Sequence, residues 1–261
     1  MWTIAKRTRK SILKHKVGNA MCGFGKTDVG RLRANNEDAF YVNNNGPKPL
    51  ENLYIIADGM GGHNAGDVAS SRSISEFCNY VSNNPHIVYT EDYLAAALID
   101  ANSRIHASAI AAPHLLGMGT TFSVCTIDKN NMYYAHVGDS RIYVINNQKM
   151  LQITKDHSLV AEMAEKGMIT EEEARHHPDK NVITRAIGTD SYVNVDKGYF
   201  PLDDVSYILM CSDGLTNMVS DADIKSIIAS DIDTCDKVDK LVFYANQAGG
   251  DDNISVVLVA L

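Results

Sequence analysis

Proline is scarce in this chain, 6 of 261 residues, and its five cysteines (Cys22, Cys78, Cys125, Cys211, Cys235) stand far apart, never as C-x-x-C. An odd, dispersed set of this kind excludes a disulfide framework and a zinc ribbon and points to a reducing compartment. No apolar run approaches the ~18 residues that a membrane span requires. Internal repeats, low-complexity tracts and Pro/Ser-rich linkers are also missing, so one domain is expected. Positive charge is short too. With 24 basic against 32 acidic residues and a net charge of -8, a broad nucleic-acid-binding surface is excluded. What is present is a 45% hydrophobic chain with 18 glycines, the composition of a globular protein with enough length for a large core. The expectation is an acidic, cytoplasmic monomer.

The charge is unevenly placed. Lys6, Arg7, Arg9, Lys10, Lys14 and Lys16 precede the first acid, Asp28, and leave 18 basic against 32 acidic residues for the remainder. This opening lacks the apolar core of a secretory signal. It reads as a basic extension over residues 1–22, or as the approach to a first strand, ahead of a domain at 23–261.

Apolar, β-branched or aromatic runs bounded by turn residues predict strands at Leu53–Ala57, Thr120–Ile127, Met132–Val137, Arg141–Ile145, Val205–Cys211 and Ile254–Leu261. Short connections at Asp128–Asn131 and Gly138–Ser140 make these antiparallel meanders. Helical spacing appears at Ile74, Phe77, Cys78 and Val81, at Leu94, Ala97, Leu98 and Ala101, and at Val238, Leu241, Val242 and Ala245. Thr170 with Glu173 forms a capping box, and Ser220 opens a helix burying Ile224, Ile227 and Ile228. His136, inside a strand, reads as a satisfied core histidine. Sheet material inside with amphipathic helices outside predicts an α+β layered fold.

Acidic residues gather where strands end: Asp58-Gly59, Gly138-Asp139, Ser212-Asp213-Gly214, Asp251-Asp252-Asn253, and Glu37-Asp38 ahead of the strand-like Ala39–Val42. One Asp-Gly pair is an ordinary turn. Five such groups converging on one sheet edge would repel unless a cation lay between them. An all-oxygen set without nearby histidine or cysteine ligands suits Mg²⁺, Mn²⁺ or Ca²⁺ better than Zn²⁺. Phosphate-loop, dinucleotide, zinc-protease, nucleophile-elbow and EF-hand patterns all fail on spacing; Asp67, for instance, stands where a phosphate-loop lysine would be.

The ordered set Arg33-x-x-Asn36-Glu37-Asp38, Asp58-Gly59-Met60-Gly61-Gly62-His63, Gly119-Thr120-Thr121, Gly138-Asp139-Ser140-Arg141, Ser212-Asp213-Gly214 and Asp251-Asp252-Asn253 resembles the metal-dependent protein phosphatases of the 2C type, in their compact bacterial branch. The resemblance covers roughly residues 24–261. It implies a four-layer sandwich, two antiparallel sheets packed face to face with helices on both outer sides, plus a flap at about 157–190. It also implies two cations, Mn²⁺ or Mg²⁺, bridged by Asp58, with Gly59 contributing its carbonyl and Asp213 and Asp252 holding the second. Asp139 with Asp213 matches a third metal position. Arg33 would grip phosphate with its bidentate fork, Glu37 and Asp38 would orient metal-bound water, and water activated by the metal pair would attack phosphoserine or phosphothreonine in proteins.

Met60 departs from the histidine that many eukaryotic members place after the D-G pair as general acid, and His63 lies three residues on without a placement near the leaving oxygen. The resemblance to the bacterial branch favours water on the third metal as proton donor, and the acid assignment stays open. The expected partners are phosphoproteins made by a Ser/Thr kinase. The competing readings are a metal-dependent nuclease or phosphodiesterase, a dedicated phosphatase of one stress-signalling regulator, and an inactive binding module on the same fold.

Overall fold

Strands buried on both faces need continuous apolar sequence, and this chain supplies it in most of its sheet. The computed structural model describes residues 21–61, 65–85 and 90–261; the basic residues of the opening segment, and His63, lie outside them. Strands β1 (Cys22–Asp28), β11 (Ile254–Ala260), β10 (Tyr207–Cys211), β7 (Arg141–Ile145) and β8 (Met150–Gln152) form one antiparallel sheet in that order. The second runs β2 (Asp38–Asn43), β3 (Leu53–Met60), β5 (Phe122–Asp128), β6 (Asn131–Val137) and β9 (Asp196–Pro201), with β4 (Gly119–Thr120) also paired to β3. The first described strand starts at Cys22, one residue inside the expected extension.

Side chains alternate between two cores, as the two-residue period of a strand requires. On β3, Tyr54 and Ile56 face the other sheet, while Leu53, Ile55 and Ala57 face helices. On β10, Ile208 and Met210 enter the inter-sheet core, and Leu209 and Cys211 turn outward to the opposite helix layer. The outer layer on the second sheet is α1 (Ala65–Asn83) and α2 (Glu91–Ala111); on the first it is α5 (Asp213–Thr216), α6 (Asp221–Ala229) and α7 (Thr234–Gln247). The expected helical stripes are the buried ones, Leu94, Ala97, Leu98 and Ala101 on α2 and Val238, Leu241, Val242 and Ala245 on α7. The result is the four-layer α+β sandwich. Among the described residues no helix is long and apolar enough to cross a membrane.

Between β8 and β9 the chain makes the excursion that holds α3 (Leu159–Glu165) and α4 (Glu171–His176). Thr170 and Glu173 cap α4 reciprocally, and the helix buries none of its residues. Gly167, at φ 68°, ends the α3 turn.

The sheet departs from the sequence expectation in four ways. The Gly138–Ser140 connection is not a meander turn, because β6 and β7 belong to different sheets and the chain crosses from one to the other there. Strands β1, β8 and β9 carry too little apolar alternation to be read; β9, DKGYFP, alternates only between half-buried and exposed. Strand β3 runs on to Met60, so Asp58 and Gly59 belong to a paired strand end. The predicted Thr120–Ile127 strand is split at Thr121, because that residue's N–H and hydroxyl turn to Asp58.

Candidate metal centre

The acidic groups meet at one edge of the sandwich because five strand ends bring them there. Asp38 opens β2 directly across from Asp58 near the end of β3. Asp139 lies in the β6–β7 turn, Asp213 follows β10, and Asp252 precedes β11. Backbone at Asp58 is fixed from both sides: its N–H donates to Thr121 Oγ1 (2.9 Å), and its carbonyl accepts from Thr121 N–H (2.8 Å) and Thr120 Oγ1 (2.9 Å). Gly59 has no room for a side chain. A Cβ there would stand 2.1 Å from the Gly66 carbonyl oxygen and 2.5 Å from that of Glu37, so glycine is what lets α1 press against β3.

Electrostatics at this edge are those of a dense, buried negative cluster. Asp58 is held well above the ordinary carboxylate range by burial and by repulsion from Asp38, Asp213, Asp139 and Asp252. Burial raises Asp38 to about 7 despite hydrogen bonds from Ser255 and Ser212, with Asp213 and Asp252 adding repulsion. Burial and the Asp252 charge raise Asp213 to about 6, against relief from Asp58, Arg141 and Asn217. Asp139 is lifted well above its usual value by burial, then by Asp213 and Asp156.

Three buried carboxylate oxygens have no hydrogen-bond partner: Asp38 Oδ1, Asp139 Oδ1 and Asp213 Oδ1. Unpaired buried acceptors are costly, and a divalent cation is the partner that suits all three. The donor set therefore fits Mn²⁺ or Mg²⁺. Among the described residues, no three acidic, histidine or cysteine side chains close into a ready cage for a bare ion. That spacing suits cations that keep several of their waters.

The other candidates take distinct places. Arg33 is half-exposed on the loop before β2, and its Nη2 donates to Asp252 Oδ2 at 2.8 Å. Glu37 is half-buried, raised by burial and by Asp67, with Arg33 opposing; its N–H donates to Asn253 Oδ1 (2.8 Å) and its carbonyl accepts from Ser70 Oγ (2.6 Å). Arg141 is not the partner of Asp139: its guanidinium grips Asp156 through Nε (3.0 Å) and Nη2 (2.7 Å). A groove of about 830 Å³ opens beside the cluster, with Asp139 and Asp213 at one end and Ala161, Ala164, Glu171 and Arg175 of the flap along its wall.

Residues 22–254 match the family described as protein phosphatase 2C. Protein phosphatase PhpP of Streptococcus pneumoniae is 43% identical over 237 residues, spanning 90% of this chain and 95% of the relative. The serine/threonine phosphatase stp of Listeria monocytogenes is 38% identical over 237 residues, 90% and 93% of the two chains. Among solved structures, serine/threonine phosphatase Stp1 from Staphylococcus aureus superposes with a TM-score of 0.88 at 34% identity, covering 96% of this chain and 99% of that one. The chain belongs to the protein phosphatase 2C family. Metal dependence comes with that family.

Within this family member, several polar residues that sequence reading quoted but left without a role hold the acids in place. Ser212 Oγ donates to Asp38 Oδ2 (2.7 Å) and accepts from Ser255 N–H (2.9 Å). Buried Asn253 ties the Arg33–Asp38 loop to β11, its amide donating to the carbonyls of Val29 (2.9 Å) and Asn35 (3.0 Å). Thr121 Oγ1 and Ser140 Oγ share a hydrogen bond at 2.7 Å, joining the Asp58 strand to the Asp139 turn. The available signal was adjacency, since Ser212 and Asn253 flank Asp213 and Asp252 directly. Met60 is half-buried beside the site and carries no transferable proton. His136 is the satisfied core histidine expected, with Nδ1 2.8 Å from Ser123 Oγ and Nε2 3.1 Å from the Lys155 carbonyl.

Proposed function

We propose that this phosphatase removes phosphate from phosphoserine and phosphothreonine in proteins at the carboxylate edge, using divalent cations held by Asp58, the Gly59 carbonyl, Asp213 and Asp252, with Asp139 completing a third position. The observation that carries the reading is the set of buried, partnerless oxygens on Asp38, Asp139 and Asp213 in a cluster that raises its own proton affinity. When bound, paired divalent cations lower the pKa of water and supply the attacking nucleophile near neutral pH.

The chain's own residues do the rest. Asp58 would be among the residues that hold the ions, and Thr120 and Thr121 keep its backbone still. Arg33 is paired with Asp252 at an exposed site. Exposed ion pairs contribute about 0–1 kcal/mol, so the fork can turn to phosphate oxygens at small cost. Glu37 and Asp38 orient water, fixed by Asn253 and Ser212 respectively. Because Met60 cannot donate a proton, protonation of the leaving alkoxide falls to the Asp139 side, where the site opens on the groove. A phosphoprotein segment lies along that groove against the flap. We read residues 23–261 as one phosphatase domain, cytoplasmic and monomeric, acting on products of a Ser/Thr kinase.

The test compares phosphate release from phosphothreonine and phosphoserine peptides with cleavage of single-stranded DNA, each with Mn²⁺. Turnover of the peptides alone is expected. Cleavage of DNA with inert peptides would replace this reading with the nuclease one.

A further inference from the structure

His157 lies outside the carboxylate cluster yet is only 2% exposed, at the point where the chain leaves β8 for the flap. It clasps the Asp139 turn twice. Its N–H donates to the Gly138 carbonyl (2.8 Å), and the Gly138 N–H donates to its ring Nδ1 (3.0 Å). Gly138 has φ +109°, and a Cβ there would meet Thr121 Cβ at 2.5 Å, so this turn has one geometry that only glycine adopts.

An amide can only donate, so Nδ1 is unprotonated and the ring proton sits on Nε2. That nitrogen lies 3.1 Å from Asp196 Oδ2 without an aligned hydrogen bond. The other oxygen of Asp196 accepts from Arg185 Nη1 at 2.7 Å. His157 also anchors the returning flap: its carbonyl accepts from Thr184 N–H (2.8 Å), and Leu159 N–H donates to the Val182 carbonyl (2.8 Å). Its ring packs on that of His136, centroids 4.9 Å apart, directly across the β6–β9 pair from Asp196.

We propose that His157 is a positioning residue that locks the Gly138–Asp139 turn to the base of the flap, so that the Asp139 carboxylate and the flap wall of the groove are placed together. The inference rests on the reading of Asp139 given above. Its geometry, two bonds to one glycine and one carboxylate contact, is that of an outer residue fixing an inner ligand.

The test uses the full chain with His157→Asn and His157→Leu. Asparagine puts an amide oxygen near the Nδ1 position and keeps the acceptor; leucine fills the space without one. In metal-free protein, the Gly138 amide proton should shift upfield and exchange faster in His157→Leu and stay near its wild-type position in His157→Asn. With Mn²⁺, kcat on a phosphoserine peptide should fall about 10–100-fold in His157→Leu, with a smaller fall on nitrophenyl phosphate, and His157→Asn should recover most of the loss. Equal losses in both variants, or an unmoved Gly138 resonance in His157→Leu, would overturn the lock. Should His157→Leu fail to fold, a displaced Gly138 resonance in His157→Asn overturns it and a retained one supports it. An Asp139→Ala chain that treats both substrates alike would sink the Asp139 reading, leaving the Gly138 resonance to decide the lock alone.

Discussion

Removing one negative charge from the cluster should make the metal-free protein more stable. Asp38 is the cleanest place to do it, being 8% exposed, and an asparagine there still accepts the Ser212 hydrogen bond. Its carboxyl is raised from 3.8 to about 7 by burial first and by Asp213 and Asp252 after it. Below about pH 4 the group is protonated in folded and unfolded chains alike, and variant and wild type should match. As pH rises, the unfolded chain ionises first while the folded chain keeps its proton or carries an unfavourable charge. Wild-type stability therefore falls until pH passes about 7, by an amount on the order of 4 kcal/mol. Relieving even half of that would raise Tm by roughly 4–8 °C. The assay is a set of melting curves in EDTA at pH 4.5, 6.0 and 7.5 for wild type and Asp38→Asn, with the gap opening as pH rises. Millimolar Mn²⁺ should narrow the gap by stabilising the wild type through mass action. A variant no more stable than wild type at pH 7.5 in EDTA would refute the reasoning.

Asp139→Ala should lower turnover of a phosphoserine peptide by about 10²–10⁴-fold, the usual worth of general acid catalysis, and affect nitrophenyl phosphate much less; equal losses on both substrates would count against the role given to that side of the site. Gly59→Ala would push a methyl group to 2.1 Å from the Gly66 carbonyl oxygen, forcing α1 away from β3, so a destabilisation of about 1–3 kcal/mol or more should accompany lost activity in urea titrations and turnover assays. His136 is pushed down to about 4 by burial and by His157; its stabilising contribution, on the order of 3 kcal/mol, is present above about pH 6.5 and lost as pH falls towards 4. The pH profile of urea midpoints should be flatter in His136→Gln over that range, and unchanged slopes would contradict this.

The layered architecture was legible because Leu53–Ala57, Ile142–Ile145 and Val256–Val259 are apolar on both faces, and only a sheet covered on both sides needs that. Helix limits at Thr170 and Ser220 were legible because caps are local chemistry. Strands β1 and β9 were not, since Gly23, Gly25 and Gly198 break their apolar pattern and their pairing comes from β11 and β6. At the site, the acids could be read from their turns and their order. Their supports could not: Ser212 reaches Asp38 across 174 residues and Asn253 reaches Asn35 across 218, and only the folded sheet edge makes such pairs neighbours. The same holds for His157, whose contacts with Gly138 and Asp196 come from three separate strand ends.

The central claim is that the carboxylate edge exists to hold the cations that make the chain a phosphatase. The most direct measurement is calorimetric titration of Mn²⁺ into EDTA-stripped wild type and Asp58→Asn, with phosphothreonine-peptide turnover followed on the same samples. Wild type should bind at least two ions and gain activity as they bind, whereas Asp58→Asn should lose the paired binding together with turnover. Peptide hydrolysis by the stripped wild type, or by an Asp58→Asn chain that no longer binds Mn²⁺, would contradict it.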